Sequence, residues 1–315
     1  FRSFTAIETR LLEKTARILT PDILTSALPA HGVVHASPIE PGYLITKESG
    51  MYYENDLLTQ KLSAGSISFY PACDTLLHKA DVEYMVCDDI LYQVDHTLSK
   101  TMIARAETRM PARTVWVGLA VDDSLTDLEN VSFYLDFPNL TESYEYLFLL
   151  PCTEWSAGGN PIRMEPGIYE KSRLPEESTR AFFRSYDVMS VIDKEVMELY
   201  NKHFLRVSQP VPLDEVDKEP LPKALSSCFG ERVREKMQEK LVWVKIVFPA
   251  HFTPEILEEL HAGINIVPVE NKLLHEQTTS LEDTFRVIPL RTGNYESLLS
   301  VHSVKDSDGK SYHEL

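Results

Sequence analysis

The sequence Thr114-Val115-Trp116-Val117-Gly118-Leu119-Ala120-Val121 is typical of a β-strand. β-branched and aromatic side chains favour extended backbone, and apolar residues alternate over part of the run. Comparable segments with turn residues between them occur at residues 66–70, 82–86, 90–94 and 131–137. Their separations are too short for helical crossovers, so we expect the strands to pair in antiparallel fashion.

The chain divides into four predicted segments. Residues 1–25 form an N-terminal helix, 26–160 a first β-rich domain, 161–240 a helical, proline-punctuated connector or insertion, and 241–315 a second β-rich domain that continues beyond this sequence. Gly158-Gly159-Asn160-Pro161 favours a boundary near residue 160, because glycine and proline interrupt regular structure. The predicted fold class is therefore α+β and mainly β, with antiparallel β-domains, an N-terminal helix and a helical segment between them.

The second β-rich domain has its own strand and turn signals. Strands are predicted at residues 241–248, 264–269, 284–290 and 297–304, and Asp308-Gly309 is typical of a hairpin turn. Ser226 or Ser227 is predicted to cap a helix, and Thr253-Pro254 is predicted to begin another.

The N-terminal helix carries a narrow apolar stripe formed by Phe4, Ile7, Leu11 and Ile18. The spacing resembles the seam between two packed helices, so these residues are candidates for contact with a partner helix. A globular helix that packs on its own domain shows the same spacing, and the two interpretations have equal weight.

Charge and composition exclude several functional classes. The 315 residues include 48 Asp and Glu against 31 Lys and Arg, a net charge of −17. This charge repels nucleic acid and anionic lipid, and no apolar run is long enough to insert directly into a membrane. No secretory signal precedes the folded segments, and Cys73, Cys87, Cys152 and Cys228 lack ligand or disulfide spacing, which favours a cytoplasmic protein.

Sequence motifs for catalysis are missing. There is no phosphate-binding glycine loop and no nucleophile elbow. His31 and His35 lack the glutamate of a metalloprotease motif, Asp306 to Gly309 fits a turn better than a calcium loop, and acidic doublets such as Asp88-Asp89 follow from composition. We therefore expect no catalytic residue, cofactor or metal, no cleft that holds an acid–base pair, and core positions for Trp116 and Trp243.

Two stretches carry a family resemblance. The first runs from Leu19 to Thr25 and then from Leu28 to Ala36; the second comprises Ile264 to Asn271, Arg286 to Leu290, and Tyr295 to Val304 with Asp308-Gly309. They resemble the type VI secretion system baseplate subunit TssF, in the divergent form found in Bacteroidetes. The region from about residue 173 to 240 matches no motif of that family.

The resemblance implies a non-catalytic scaffold. This chain would be a central fragment of a longer, phage-tail-like structural protein at the cytoplasmic face of the inner membrane. Its partners would be TssG, TssE and TssK, together with a second TssF copy. The alternative from composition is a cytosolic carbohydrate-binding or carbohydrate-active β-protein, because tyrosine, tryptophan and carboxylates are abundant.

Overall fold

A computed structural model describes residues 28–53, 67–108, 110–141, 143–168, 196–230, 233, 237, 239–272, 276, 278 and 304–312. The predicted N-terminal helix and the predicted strand at 284–290 lie outside the described residues. The predicted strand at 297–304 does so too, except for its last residue.

Strands dominate the described part of the chain. They are β1 (His31–His35), β2 (Gly42–Ile45), β3 (Met51–Tyr53), β4 (Ile67–Pro71), β5 (Thr75–His78), β6 (Ala80–Cys87), β7 (Ile90–Val94), β8 (Lys100–Arg105), β9 (Thr114–Val121), β10 (Ser132–Asp136), β11 (Glu154–Ala157), β12 (Asn160–Ile162), β13 (Met164–Pro166), β14 (Phe204–Val207), β15 (Lys218–Glu219), β16 (Leu241–Val247), β17 (His261–Ile264), β18 (Ile266–Glu270), β19 (Val304–Lys305) and β20 (Ser311–Tyr312). The helices are short: α1 (Ser143–Leu147), a 3₁₀ turn (Leu150–Cys152), α2 (Val196–Asn201), α3 (Lys223–Phe229) and α4 (Pro254–Glu258).

The strands form three larger sheets within the described residues. The large sheet has the order β12-β11-β16-β9-β6-β7-β8, with β15 also paired to β16. The facing sheet has the order β13-β14-β10-β17, and the third sheet the order β1-β18-β4-β3. The strand pairs are antiparallel, which confirms the predicted mainly-β, α+β class.

The main core lies between the large sheet and the facing sheet. Val117 and Leu119 of β9 are fully buried there, together with Phe133 and Leu135 of β10. Alternate residues of β9 point to the opposite side of the large sheet, where they pack beside Trp243 of β16 and α3 covers them. Because both faces are covered, the central strands are apolar almost throughout, as a strand buried on two sides requires.

The two tryptophans of the large sheet lie on this second side. Trp243 is 3% exposed, which confirms its predicted core position, and its indole N–H donates to the Glu219 carbonyl at 3.1 Å. A Cβ at Gly118 would lie 3.1 Å from the Trp243 ring, so the glycine makes room for it. Trp116 is only partly buried, with the Lys245 ammonium 5.9 Å from its ring centre.

The single strand predicted at 264–269 is wrong, because the chain changes sheet at Asn265. β17 belongs to the facing sheet and β18 to the third sheet. Asn265 lies between them with φ at 57°, a left-handed conformation that asparagine tolerates better than most residues. Its side-chain oxygen accepts the His78 N–H at 2.8 Å, and its amide donates to the carbonyls of His78 and Ala80 at 2.7 and 2.8 Å.

One turn prediction is confirmed and one helix-cap prediction is wrong. Asp308-Gly309 forms the predicted turn between β19 and β20, with φ of Gly309 at 80°. The predicted cap at Ser226 or Ser227 is wrong, because α3 begins one turn earlier, after Pro222. Proline fixes the backbone for a helix start, and Leu225 and Phe229 then face the core.

We predict that Asn265→Ala lowers the free energy of unfolding by about 3–4 kcal/mol. The change leaves buried backbone groups of His78 and Ala80 unpaired and places alanine in a left-handed conformation. Asn265→Gly should lose about 1 kcal/mol less, because glycine tolerates that conformation. Urea unfolding measures each value.

Asn271→Ala is the matched control, because Asn271 donates one bond, to the Ser68 carbonyl at 2.8 Å, from a partly buried position. Its loss should be about 1 kcal/mol. Equal effects at residues 265 and 271 would refute a special role for Asn265.

Candidate functional site

A cleft of about 320 Å³ opens beside the point where the chain changes sheet. It lies between β1, β6, the loop after β7, and β17. Its lining residues are His35, Ser37, Asp81, Val82, Glu83, Val94, Asp95, His96, Leu98, Ala120, Gly263 and Ile264.

Asn265 fixes the relative position of three walls of this cleft. β17 ends directly before it. On β1, His35 directly precedes Ala36, whose N–H donates to the Asn265 carbonyl at 3.0 Å. On β6, Asp81 directly follows Ala80, whose carbonyl accepts from the Asn265 amide. The cleft therefore exists only where these three strands are held together.

His35 and Asp81 form a pair across the cleft. The Nε2 atom of His35 lies 2.7 Å from Oδ1 of Asp81, and the side chains are 16% and 48% exposed, respectively. An ionised carboxylate can only accept, so Nε2 donates the proton of this bond. The bond orients the imidazole and leaves Asp81 open to solvent.

The loop from Asp95 to Ser99 forms a fourth wall. Oδ1 of Asp95 accepts the backbone N–H groups of Thr97 and Ser99 at 2.8 and 3.0 Å, and the Thr97 hydroxyl at 2.6 Å. These bonds hold the pKa of Asp95 below its ordinary value, and the bond from the Thr97 hydroxyl has the largest effect. Asp95 therefore keeps its negative charge.

Leu98 packs directly on the backbone of β17. It has φ at 61°, and its Cδ2 atom lies 2.5 Å from the position that a Cβ would take at Gly263. A side chain at residue 263 would displace Leu98. Glycine at this position therefore allows the loop to close one side of the cleft.

Glu83 enters the cleft through a β-bulge in β6. Val82 pairs with Leu119 of β9 and Tyr84 pairs with Gly118, so Glu83 is the extra residue. The bulge reverses the alternation of the strand: Val82 belongs to the main core, whereas Tyr84 packs on the opposite side of the large sheet. A bulge of this kind re-aims side chains next to it.

The bulge also brings carboxyl groups together. Burial, a hydrogen bond with the Glu239 carboxyl, and the negative charges of Glu239 and Asp81 raise the pKa of Glu83 from 4.5 to about 7. The Glu83 carboxyl therefore keeps its proton to a higher pH than an ordinary glutamate does.

The sequence-based expectation that no cleft holds an acid–base pair stays a prediction, although a histidine and an aspartate do meet in this cleft. His35 and Asp81 are 46 residues apart in sequence and lie on strands of different sheets, and the contact between the third sheet and the large sheet brings them within hydrogen-bond distance. One local signal for the bulge exists in the sequence. After Glu83 the apolar residues Tyr84, Met85 and Val86 follow each other without the alternation of a regular strand.

The other residues considered from the sequence lie elsewhere. The candidate seam of Phe4, Ile7, Leu11 and Ile18 lies outside the described residues. The Nδ1 atom of His31 lies 3.0 Å from the Tyr200 hydroxyl, whereas His35 bonds to Asp81, so the two histidines have different partners. Asp306 accepts the N–H groups of Asp308 and Lys310 at the hairpin turn.

In the part of the chain that the structure describes, no three His, Cys, Asp or Glu side chains converge as ligands of a metal ion. None of the described helices has the length and apolar character needed to cross a bilayer. The four cysteines are free, and burial raises the pKa of Cys87 to about 12.

Comparisons with known proteins find similarity at the level of structure, not of sequence families. No family model matches the chain, and no curated protein matches it. The chain is similar to a chain of the type VI secretion system TssK-TssF-TssG baseplate subcomplex, determined by cryo-electron microscopy, at 13% identity and a TM-score of 0.39. The match covers 87% of this chain and 50% of that chain, so this chain spans about half of its length.

We predict that the Glu83 carboxyl titrates with a midpoint near pH 7, as ¹³C NMR of labelled glutamate would measure. Because the folded-state pKa lies above the ordinary one, the bound proton stabilises the fold at low pH, and that stabilisation is lost as pH rises through about 7. Glu239→Gln should move the midpoint downward by removing a negative neighbour.

Glu215→Gln is the control, because Glu215 is exposed and is not among the groups that act on Glu83. It should leave the midpoint in place. A midpoint near 4.5 in the parent, or one that Glu239→Gln does not move, would contradict the coupling.

Proposed function

We propose that this chain is part of a non-catalytic, TssF-like structural subunit of a type VI secretion baseplate. In this role it is a scaffold that other baseplate proteins bind. The proposal rests on residues of the chain itself, in sequence and in their spatial arrangement.

The spatial relation of the two resembling stretches carries the proposal. Part of the first stretch forms β1 and part of the second forms β18. These strands pair over five positions, from His31 opposite Glu270 to His35 opposite Ile266. Two stretches more than 200 residues apart, each with its own likeness to TssF, therefore form one structural unit. Two segments that resembled TssF only by chance would not be expected to form paired strands.

The surface has features that a subunit of an assembly needs. Leu44 of β2 and Leu76 of β5 lie directly opposite each other and are 53% and 39% exposed. Met102 on β8, the last strand of the large sheet, is 61% exposed. Clustered apolar side chains on exposed strands are common at protein–protein interfaces.

The partners of this scaffold would be TssG, TssE and TssK, together with a second TssF-like copy, in the cytoplasm at the face of the inner membrane. Phe4, Ile7, Leu11 and Ile18 would form a helical seam against one of them. A net charge of −17 favours basic partner surfaces.

The cleft gives the alternative, a carbohydrate-active protein, one specific argument. A glycosidase acid needs a raised pKa, and Glu83 has one, beside the carboxylate of Asp81. However, none of the described residues that line the cleft is Trp, Tyr or Phe. A sugar ring would therefore lack the aromatic face on which it usually stacks.

We predict that the full-length protein, co-expressed with its neighbouring genes, purifies as a stable complex with TssG-like and TssK-like proteins, measured by affinity purification and mass photometry. Ile7→Glu with Leu11→Glu should weaken the complex, because two charges would be buried at the seam. Thr5→Glu with Thr9→Glu is the matched control, because it adds the same charge on the opposite side of a helix.

Two results would contradict these proposals. In the first, no neighbouring baseplate protein co-purifies, and the chain hydrolyses glycans in a reaction that Glu83→Gln abolishes. This result would favour the carbohydrate-active alternative over the scaffold. A fall in the melting temperature of the isolated Ile7→Glu, Leu11→Glu protein would mean that the stripe packs on its own chain, and the partner seam would be refuted.

A further inference from the structure

We propose that the cleft beside Asn265 receives an arginine or lysine side chain of a partner subunit. This inference deepens the proposed function, because it names the chemistry by which the scaffold would hold a partner.

The charge of the cleft favours a cation. Asp81, Glu83 and Asp95 are among its lining residues, and none of the described lining residues is Lys or Arg. Asp95 keeps its charge because its own loop stabilises the carboxylate. The chain as a whole carries −17, so its long-range field attracts the same kind of partner surface.

A second observation concerns the proton at Glu83. Burial, a hydrogen bond with the Glu239 carboxyl, and the negative charges of Glu239 and Asp81 raise the pKa of this carboxyl to about 7. A guanidinium or ammonium group in the cleft would stabilise the ionised form of Glu83 and would release its proton.

The shape of the cleft fits a long cationic side chain. Val82, Val94, Leu98 and Ile264 provide apolar walls, which match the methylene groups of arginine or lysine. Leu98 is fixed against the backbone at Gly263, so its wall has a definite position.

The acidic end of the cleft is accessible from outside. Asp81 is 48% exposed although His35 already donates to Oδ1 at 2.7 Å. A cation can therefore reach Asp81 without breaking the pair. Arginine suits this end better than lysine, because its planar fork can bind a carboxylate through two N–H groups.

The probe is the peptide acetyl-Gly-Arg-Gly-amide, titrated into the ¹³C,¹⁵N-histidine-labelled chain at pH 7.5. We expect saturable shifts of the His35 and His96 ring signals with a millimolar dissociation constant. The same peptide with citrulline, which has the shape of arginine without its charge, should bind at least tenfold more weakly. Asp81→Asn with Glu83→Gln should weaken arginine binding at least fivefold.

Asp214→Asn with Glu215→Gln is the matched control, because it removes the same charge at two exposed positions outside the cleft lining. It should leave binding within twofold of the parent. Glu83→Gln alone is the second variant, since an amide of nearly the same shape removes the negative charge that Glu83 carries at pH 7.5, and it should bind more weakly with an unchanged melting temperature.

Three results would overturn the inference. These are no saturable shift, equal binding of arginine and citrulline peptides, and equal loss in the cleft and control variants. Tighter binding of free putrescine than of the arginine peptide would assign the cleft to a small polyamine and would also refute it. These measurements need no baseplate protein, so a failed co-purification would refute the proposed function while the peptide result decides the cleft separately.

Discussion

The side chain of Asn265 is the interaction on which the arrangement of the sheets depends. The residue joins β17 of the facing sheet to β18 of the third sheet and bonds to His78 and Ala80 between β5 and β6. Its carbonyl also accepts the Ala36 N–H at the end of β1. These contacts are buried, so water cannot replace them when they break. A single residue in the left-handed conformation therefore determines where the chain leaves the facing sheet and enters the third sheet.

The cleft follows from the same junction. Three of its walls are strands that meet at Asn265, the Asp95–Ser99 loop closes another side, and the β6 bulge adds Glu83. Burial of Glu83 and the carboxyl groups near it raise the pKa of Glu83 at this point. An open, acidic cleft with apolar walls is better suited to holding a charged side chain than to stacking a sugar. This physical character links the fold to the proposed scaffold role.

Local features of the fold were predictable, and non-local ones were not. β9 and β7 match the predicted ranges 114–121 and 90–94, because a strand buried in a sheet leaves a continuous apolar pattern in its own sequence. The change of sheet at Asn265 is invisible in the pattern, since apolar residues continue on both sides of it. The order of strands, with β16 between β9 and β11, depends on contacts between distant segments. The cleft was missed for that reason, because His35 and Asp81 lie on strands of two different sheets that meet only in the folded chain.

Native-state hydrogen exchange tests the role of Asn265 most directly. The amides of His78 and Ala36 donate to Asn265, while those within β9 and β16 belong to the central strands of the large sheet. If the junction holds the sheets together, the His78 and Ala36 amides should exchange only through global unfolding, with the same free energy and denaturant dependence as the central strands. Exchange of these two amides through a local opening, at much lower free energy while β9 and β16 stay protected, would contradict this account.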